Sequence, residues 1–255
     1  MSARAAPAPA VLIIGGSDSS GGAGLARDLR TLEGQGVEAV IALTAVSAQS
    51  NSRVWAVHHV PPELIRAQIL SALESRRVGA IKIGMLGTAA AVEAVAESLP
   101  RGHDAPLVLD PVLRSSSGGQ LLDEAGRGAM QERLFPLATL LTPNIPEAAQ
   151  LCGAEPQAGS DTVTRLAWAA QLLARGPRAV LIKGGHAAGA EAADLLARAD
   201  GTREWLSSAR LPGSVRGTGC ALATGIAAGL ARGEALQEAC WNARRYVLDL
   251  LAGAS

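Results

Sequence analysis

The sequence predicts an α/β fold in which a central, mostly parallel sheet is flanked by helices, and three observations carry that expectation. Short apolar runs, Val11–Ile14, Val78–Ile83, Leu107–Leu109 and Ala179–Ile182 among them, read as strands buried on both faces. Stretches with helical apolar spacing separate these runs. Polar or glycine-rich residues then follow strand after strand, at the edge where open parallel sheets bind ligands. A chain of 255 residues is long enough to bury one large core.

Composition narrows the partners. The 23 basic and 23 acidic residues balance, with no long run of either sign. That argues against a nucleic-acid or membrane surface and favours a small-molecule substrate. One Phe, one Tyr and four Trp leave few platforms for stacking bases. Residues 1–10 are Ala/Pro-rich and are expected to form a disordered tail ahead of a single domain over 11–255. The apolar run behind them is too short for a signal-peptide core or a membrane span. Cys152, Cys220 and Cys240 are an odd number without a CxxC or His/Cys cluster, so neither a disulfide framework nor a zinc site is predicted and a cytoplasmic protein is expected.

The first predicted strand, Val11–Ile14, enters the glycine-rich stretch Gly15–Gly24, and a helix over about 25–34 should bury Leu25, Leu29 and Leu32. Strand, glycine loop and helix suggest a dinucleotide site. The spacing is not G-x-G-x-x-G, however, and Ser17-Asp18 stands where the tight turn belongs, so a polar loop over a substrate is the better reading. Asp28 is either an acceptor for that substrate or an ordinary solvated helix charge. Val37–Thr44 is the next strand, and Gln49 lies just beyond it as a possible ligand contact.

His58 and His59 are adjacent and would point to opposite sides of a strand, so they make no metal pair. Pro61-Pro62-Glu63 opens a helix expected to bury Leu64, Ile65, Ile69 and Leu73. Val78–Ile83 ends in Gly84-Met85-Leu86-Gly87, where Met85 is a pocket wall or core packing. A helix over about 89–99 leads to Leu107–Leu109 and then Asp110-Pro-Val112. The loop Arg114–Gly119 fits a flap or a plain connector.

Thr139–Thr142 is followed by Pro143-Asn-Ile-Pro-Glu147, in which Pro146 suits a helix start. Asp110 and Glu147, from separate strand ends, suit a hydrated Mg²⁺, though Glu147 serves equally as a helix cap. A helix over 161–174 has Val163, Leu166, Ala170 and Leu173 in register. Lys183 follows the strand Ala179–Ile182 and can reach a phosphate. A hairpin turning at Asp200-Gly201 precedes the stretch Gly213–Gly225, and an amphipathic helix over 234–251, with Cys240 packed inside, closes the chain. The start of a helix near Cys220 offers unpaired N–H groups, so Gly217–Cys220 is either an anion cradle or a close-packed loop-to-helix junction.

Seven segments taken in order resemble one family. They are Gly16-Ser-Asp-x-Ser with the following glycines, Ala48-Gln49, Lys82-Ile-Gly-Met-Leu86, Leu109-Asp-Pro-Val112, Thr142-Pro-Asn-x-Pro-Glu147, Val180-x-x-Lys-Gly-Gly-His186 and Gly217-Thr-Gly-Cys220. The chain after residue 10 is thereby similar to the hydroxymethylpyrimidine/phosphomethylpyrimidine kinases of thiamin biosynthesis, members of the ribokinase-like superfamily. The resemblance implies a three-layer ribokinase-like fold and a homodimer. It also implies transfer of the ATP γ-phosphoryl to a pyrimidine alcohol and then to its monophosphate. Gly16, Asp28, Gln49, Met85 and Val112 would line the pyrimidine pocket. Asp110 and Glu147 would hold Mg²⁺ through water, Lys183, Arg216 and Thr218 would meet the nucleotide, and Gly217, Gly219 and Cys220 would form the catalytic anion hole.

Cys220 stands where most ribokinase-like enzymes have Asp, and is expected to be the base, its thiol lowered by the helix start and a nearby cation. Ser19, Leu25-Ala-Arg27, the neighbours of Gln49 and Arg216 depart from the family pattern. Arg216 is expected to assist the second phosphorylation. A pyridoxal kinase is the nearest rival, but such relatives carry a second cysteine in the flap and Arg114–Gly119 has none. A silent pyrimidine-binding protein is the rival from another class.

Overall fold

A computed structural model describes residues 9–50, 53–99, 104–115, 118–155, 161–185, 191–211 and 215–253. Most of the expected tail, His186, two flap serines and the start of the Gly213 stretch lie outside the described residues. Ala10, assigned to the tail from sequence, belongs to the first strand.

The strands are β1 (Ala10–Asp18), β2 (Ala39–Gln49), β3 (Val54–His59), β4 (Val78–Ile83), β5 (Leu107–Leu109), β6 (Leu140–Leu141), β7 (Ala179–Ile182), β8 (Glu191–Arg198) and β9 (Arg203–Ala209). Among the described residues they form one sheet in the order β3-β2-β1-β4-β5-β6-β7-β8-β9. From β2 to β7 all neighbours are parallel, and β3, β8 and β9 extend the sheet with antiparallel pairings. The helices are α1 (Gly24–Gly34), α2 (Pro62–Ser75), α3 (Ala89–Ser98), α4 (Glu124–Ala129), α5 (Ile145–Leu151), α6 (Thr162–Leu173), α7 (Thr218–Ala231) and α8 (Leu236–Ala252).

The period of two along each strand divides the core into two layers. Leu12, Ile14, Ile81, Ile83, Leu107 and Leu109 pack under α2, α3, α5 and α6, whereas Val11, Ile13, Ala80 and Val108 pack under α1, α7 and α8. The three-layer expectation is therefore met. At about 25 cal/mol per Å² such two-faced burial dominates the stability of the sheet.

Several local expectations are corrected by packing. β1 runs on through Gly15-Gly-Ser-Asp18, paired with β2, so Ser17-Asp18 is strand and not a turn. Leu29 and Leu64 are exposed, on outer faces of α1 and α2. In α6 the buried residues are Arg165, Trp168, Ala169 and Leu172, while Val163 is 76% exposed. Trp168, Ala169 and Leu172 carry this face into the core, and beside them the Arg165 guanidinium donates to the Ala193 carbonyl and lies over the Trp205 ring.

Candidate active site

The C-terminal ends of the parallel strands open into a cavity of about 720 Å³. It brings together every residue singled out above: Gly16, Asp28, Gln49, Met85, Asp110, Val112, Glu147, Lys183, Arg216, Gly217, Thr218, Gly219 and Cys220 all line it. The topology explains the convergence, since β1, β4, β5, β6 and β7 all point their C-terminal ends to this side.

One wall is the start of α7. Gly217 caps the helix at φ +77°, and a side chain there would strike the Gly22 carbonyl, so this junction requires glycine. Behind it the helix is buried and built largely of small residues, which lets its N-terminus sit deep in the protein. The unpaired N–H groups of its first turn therefore reach the cavity as anion donors.

The opposite wall is an ion cluster. Lys183 Nζ lies 2.8 Å from Asp110 Oδ1 and 4.0 Å from Glu147 Oε2. Thr142 donates to Asp110 at 3.1 Å. Glu147 takes part in a reciprocal cap with Asn144, each side chain accepting from the other's backbone N–H at 2.8 Å. The cap reading of Glu147 is therefore met, and its carboxylate also lines the cavity. Burial raises its carboxyl to about 7 against the pull of Lys183, with Asp110 adding to the rise. Burial alone would lower the Lys183 ammonium, but Asp110 and Glu147 outweigh it and hold it above the usual lysine range. Gly219 faces this cluster, since a β-carbon on it would lie 3.3 Å from Lys183 Nζ.

The third wall is the first loop. Asp18 accepts from Ser20 N–H, Ser20 Oγ and Ala23 N–H at 2.7–2.9 Å. Burial would raise Asp18, yet the bonds from Ser20 and Gln49, with the Arg216 charge, keep it below the ordinary carboxylate range. Arg216, grouped with the nucleotide from sequence, is held on this side: it lies 3.4 Å from Asp18 and donates to Ser20 Oγ and the Ser50 carbonyl.

Two sequence expectations change here. Asp28 is neither a solvated charge nor an open acceptor, because Lys82 Nζ sits 2.8 Å from one of its oxygens and Thr224 donates to the other at 2.7 Å. The Cys220 thiol is not lowered. Burial pushes it up to about 11, and the nearby Lys82 charge only partly opposes that.

Sequence reasoning passed over Asp18 and Lys82 as site residues, as well as an apolar end of the cavity formed by Leu211, Val215, Val247, Leu248 and Leu251. Lys82 was detectable as a lysine inside an apolar strand. The leucines and valines carried no such signal, since they read as core. At the same end Asp194 accepts from Gly184 N–H at 2.7 Å and pairs with the buried Arg244, which also binds Ala192 O and Ser208 Oγ. This network fixes the turn that follows Lys183.

Comparison with known proteins decides the family. Residues 18–255 match the family model described as phosphomethylpyrimidine kinase. The chain belongs to that family. It is 46% identical to a hydroxymethylpyrimidine/phosphomethylpyrimidine kinase of Streptomyces coelicolor, over 94% of this chain and 87% of the relative. Among solved structures, a phosphomethylpyrimidine kinase of Clostridium difficile superposes with a TM-score of 0.82 at 32% identity, covering 95% of this chain and 99% of the other. A Bacillus subtilis pyridoxal kinase, solved with ADP, superposes with 0.84 at 32% identity, covering 93% and 89%. Membership of the phosphomethylpyrimidine kinase family thus rests on sequence, while the ribokinase-like backbone is common to both activities.

Two carboxylates in a cavity that also holds a lysine fit a hydrated Mg²⁺, which keeps most of its waters. Among the described residues no cluster of three or more His, Cys, Asp or Glu offers an all-protein metal cage. No helix among them is long and apolar enough to cross a membrane.

Proposed function

We propose that this chain is an ATP-dependent kinase of thiamin biosynthesis. It phosphorylates 4-amino-5-hydroxymethyl-2-methylpyrimidine and then converts the monophosphate to the diphosphate. The observation that carries this reading is the single cavity in which the α7 N-terminus faces the Lys183–Asp110–Glu147 cluster. Phosphoryl transfer asks chiefly for in-line positioning and for charge around the equatorial oxygens, and these two walls supply both.

The backbone N–H groups of Gly217, Thr218 and Gly219 cradle the transferring group, and Lys183 meets the nucleotide phosphates. Asp110 and Glu147 hold Mg²⁺ through water, and that ion, when bound, neutralises charge on the phosphates. Gly16, Gln49, Met85 and Val112 wall the pyrimidine, with Asp28 behind them. Leu211, Val215 and the end of α8 give an apolar bed for the adenine. Cys220 sits within the anion hole to take the acceptor's proton. It can do so only as the thiolate, so the thiol, raised by burial, first releases its own proton to water, and the neighbouring Lys82 charge favours that form.

A cytoplasmic homodimer is the proposed working form. Ile41, Val46 and Trp55, exposed on β2 and the edge strand β3, support a subunit contact there.

ADP release is the test, measured in parallel with the pyrimidine alcohol, its monophosphate and pyridoxal, with and without Mg²⁺. Turnover on both pyrimidines with Mg²⁺ is expected. Pyridoxal turnover alone would assign the chain to the rival activity, and no turnover on any would leave a binding protein.

A further inference from the structure

The roles above leave Lys82 unused, although it is among the largest fully buried side chains of the described residues. It lies in β4 between Ile81 and Ile83, which belong to the opposite layer, and shares its face with Ala80, under α1 and α7. Gly84 leaves room for the ammonium, since a β-carbon there would sit 2.8 Å from Nζ. An ammonium carries three donors, yet among the described residues Nζ has one hydrogen-bond acceptor, Asp28 Oδ2 at 2.8 Å. Lys82 and Asp28 both line the cavity.

Asp28 is in turn bound by Thr224 Oγ1 at 2.7 Å. Thr224 lies one turn beyond Cys220 on the same face of α7, so the chain Lys82–Asp28–Thr224 ends directly behind the anion hole. Burial alone would lower the ammonium, but Asp28 outweighs it and keeps it above the usual lysine range. The charged groups near Cys220 are Lys82 from β4, Asp28 from α1, Asp110 after β5 and Lys183 after β7.

We propose that Lys82 is a positioning residue of the transfer site: Asp28 and Thr224 lock its ammonium behind Cys220 as a fixed positive charge on the acceptor side, the counterpart of Lys183 on the nucleotide side. A buried pair is often a structural strut alone. The proposal differs in requiring that the charge reach Cys220. It uses the kinase reading only in taking Cys220 as part of the transfer site.

The test compares the wild-type chain with the neutral double variant Lys82→Met/Asp28→Asn, which removes both charges together and leaves an amide oxygen at position 28 to accept from Thr224. Replacing a buried pair by neutral groups of similar shape is commonly tolerated. Iodoacetamide alkylation of Cys220, followed by peptide mass spectrometry at pH 7–9.5, is the readout that a strut would not move. Cys220 is expected to react more slowly in the double variant, by up to about tenfold, the ratio that one pKa unit gives below the titration midpoint, because the lost Lys82 charge outweighs the lost, opposing Asp28 charge at the thiol. The kcat for the pyrimidine alcohol should fall while the KM for ATP stays near the wild-type value. Alkylation at the wild-type rate in a cooperatively folded double variant overturns the proposal.

If the double variant does not fold, Thr224→Val cuts the tie to α7 and keeps both charges. A lower kcat with unchanged ATP KM is then expected, and unchanged kcat and alkylation overturn the proposal. Because alkylation needs no substrate, a chain without kinase turnover whose Cys220 still responds to Lys82 refutes the proposed function and leaves this inference standing.

Discussion

Replacing Lys183 by Met tests the nucleotide wall and produces a pH signature that can be worked out in advance. In the wild type the ammonium is shared by Asp110 at 2.8 Å and Glu147 at 4.0 Å, all three groups being largely buried. Its loss leaves two carboxylates facing each other, and the Glu147 carboxyl, already raised to about 7, must rise further because Lys183 was pulling it down. A carboxyl whose folded value is raised contributes stability that is complete below its unfolded value and is lost as pH climbs to the folded one. Wild type and variant therefore lose stability in parallel up to about pH 7. Beyond that only the variant goes on losing it, by about 1.4 kcal/mol for each unit that its Glu147 has risen. Denaturant unfolding in EDTA at pH 6, 7 and 8 reads this directly, as a penalty that is flat to pH 7 and then grows. In the ADP-release assay at saturating Mg²⁺, loss of a preorganised cation should cost roughly 10²–10³ in kcat. A penalty independent of pH would refute the shared-cation geometry, and turnover within a few-fold of wild type would remove Lys183 from the transfer path.

Arg216→Ala should lower turnover of the monophosphate about tenfold more than that of the alcohol, the worth of one charge-assisted hydrogen bond; equal losses would reduce Arg216 to its contacts with Asp18, Ser20 and Ser50. Cys220→Ala should depress both phosphorylations, and near-full turnover on both would end its assignment as proton acceptor. Cys240 is buried, and burial pushes its thiol from 9.0 to about 12, so the stability it contributes is complete below pH 9 and is lost as pH rises towards 12. Cys240→Ala should accordingly flatten the loss of stability between pH 8.5 and 10.5 by about 2 kcal/mol, read from unfolding curves relative to each protein's own neutral value.

What the sequence made legible was local. Val11–Ile14, Val78–Ile83, Leu107–Leu109 and Ala179–Ile182 all lie within strands, because a run of apolar residues bounded by turns has one favourable place in a two-faced sheet. Lys183 and Asp110 follow such strands, so topology alone carries them to the active edge. Which face of a helix is buried was less legible. Val163 keeps the apolar period of α6 yet stands in solvent, because the helix buries Trp168, Ala169 and Leu172 on another side, where Arg165 meets Ala193 and Trp205. The partners of Asp28 were illegible for the same reason: they come from residues 54 and 196 positions away, which no local pattern encodes.

The two sides of the site are consequently built by different means. The proposed nucleotide side uses residues at strand ends, Asp110 and Lys183 among them, and the backbone of one helix start. The proposed acceptor side depends on long-range contacts, Lys82 to Asp28, Thr224 to Asp28, and Arg216 to Ser20, which bring α1, the first loop and α7 together. Gly217 enforces that docking through its approach to the Gly22 carbonyl. A pyridoxal kinase and a phosphomethylpyrimidine kinase superpose on this chain almost equally well, with TM-scores of 0.84 and 0.82. The backbone therefore does not select the acceptor. Selection has to come from the side chains that the docked elements place around it, and Ser19, Leu25–Arg27, the neighbours of Gln49 and Arg216, the positions singled out above as departures from the resemblance, are on or beside those elements.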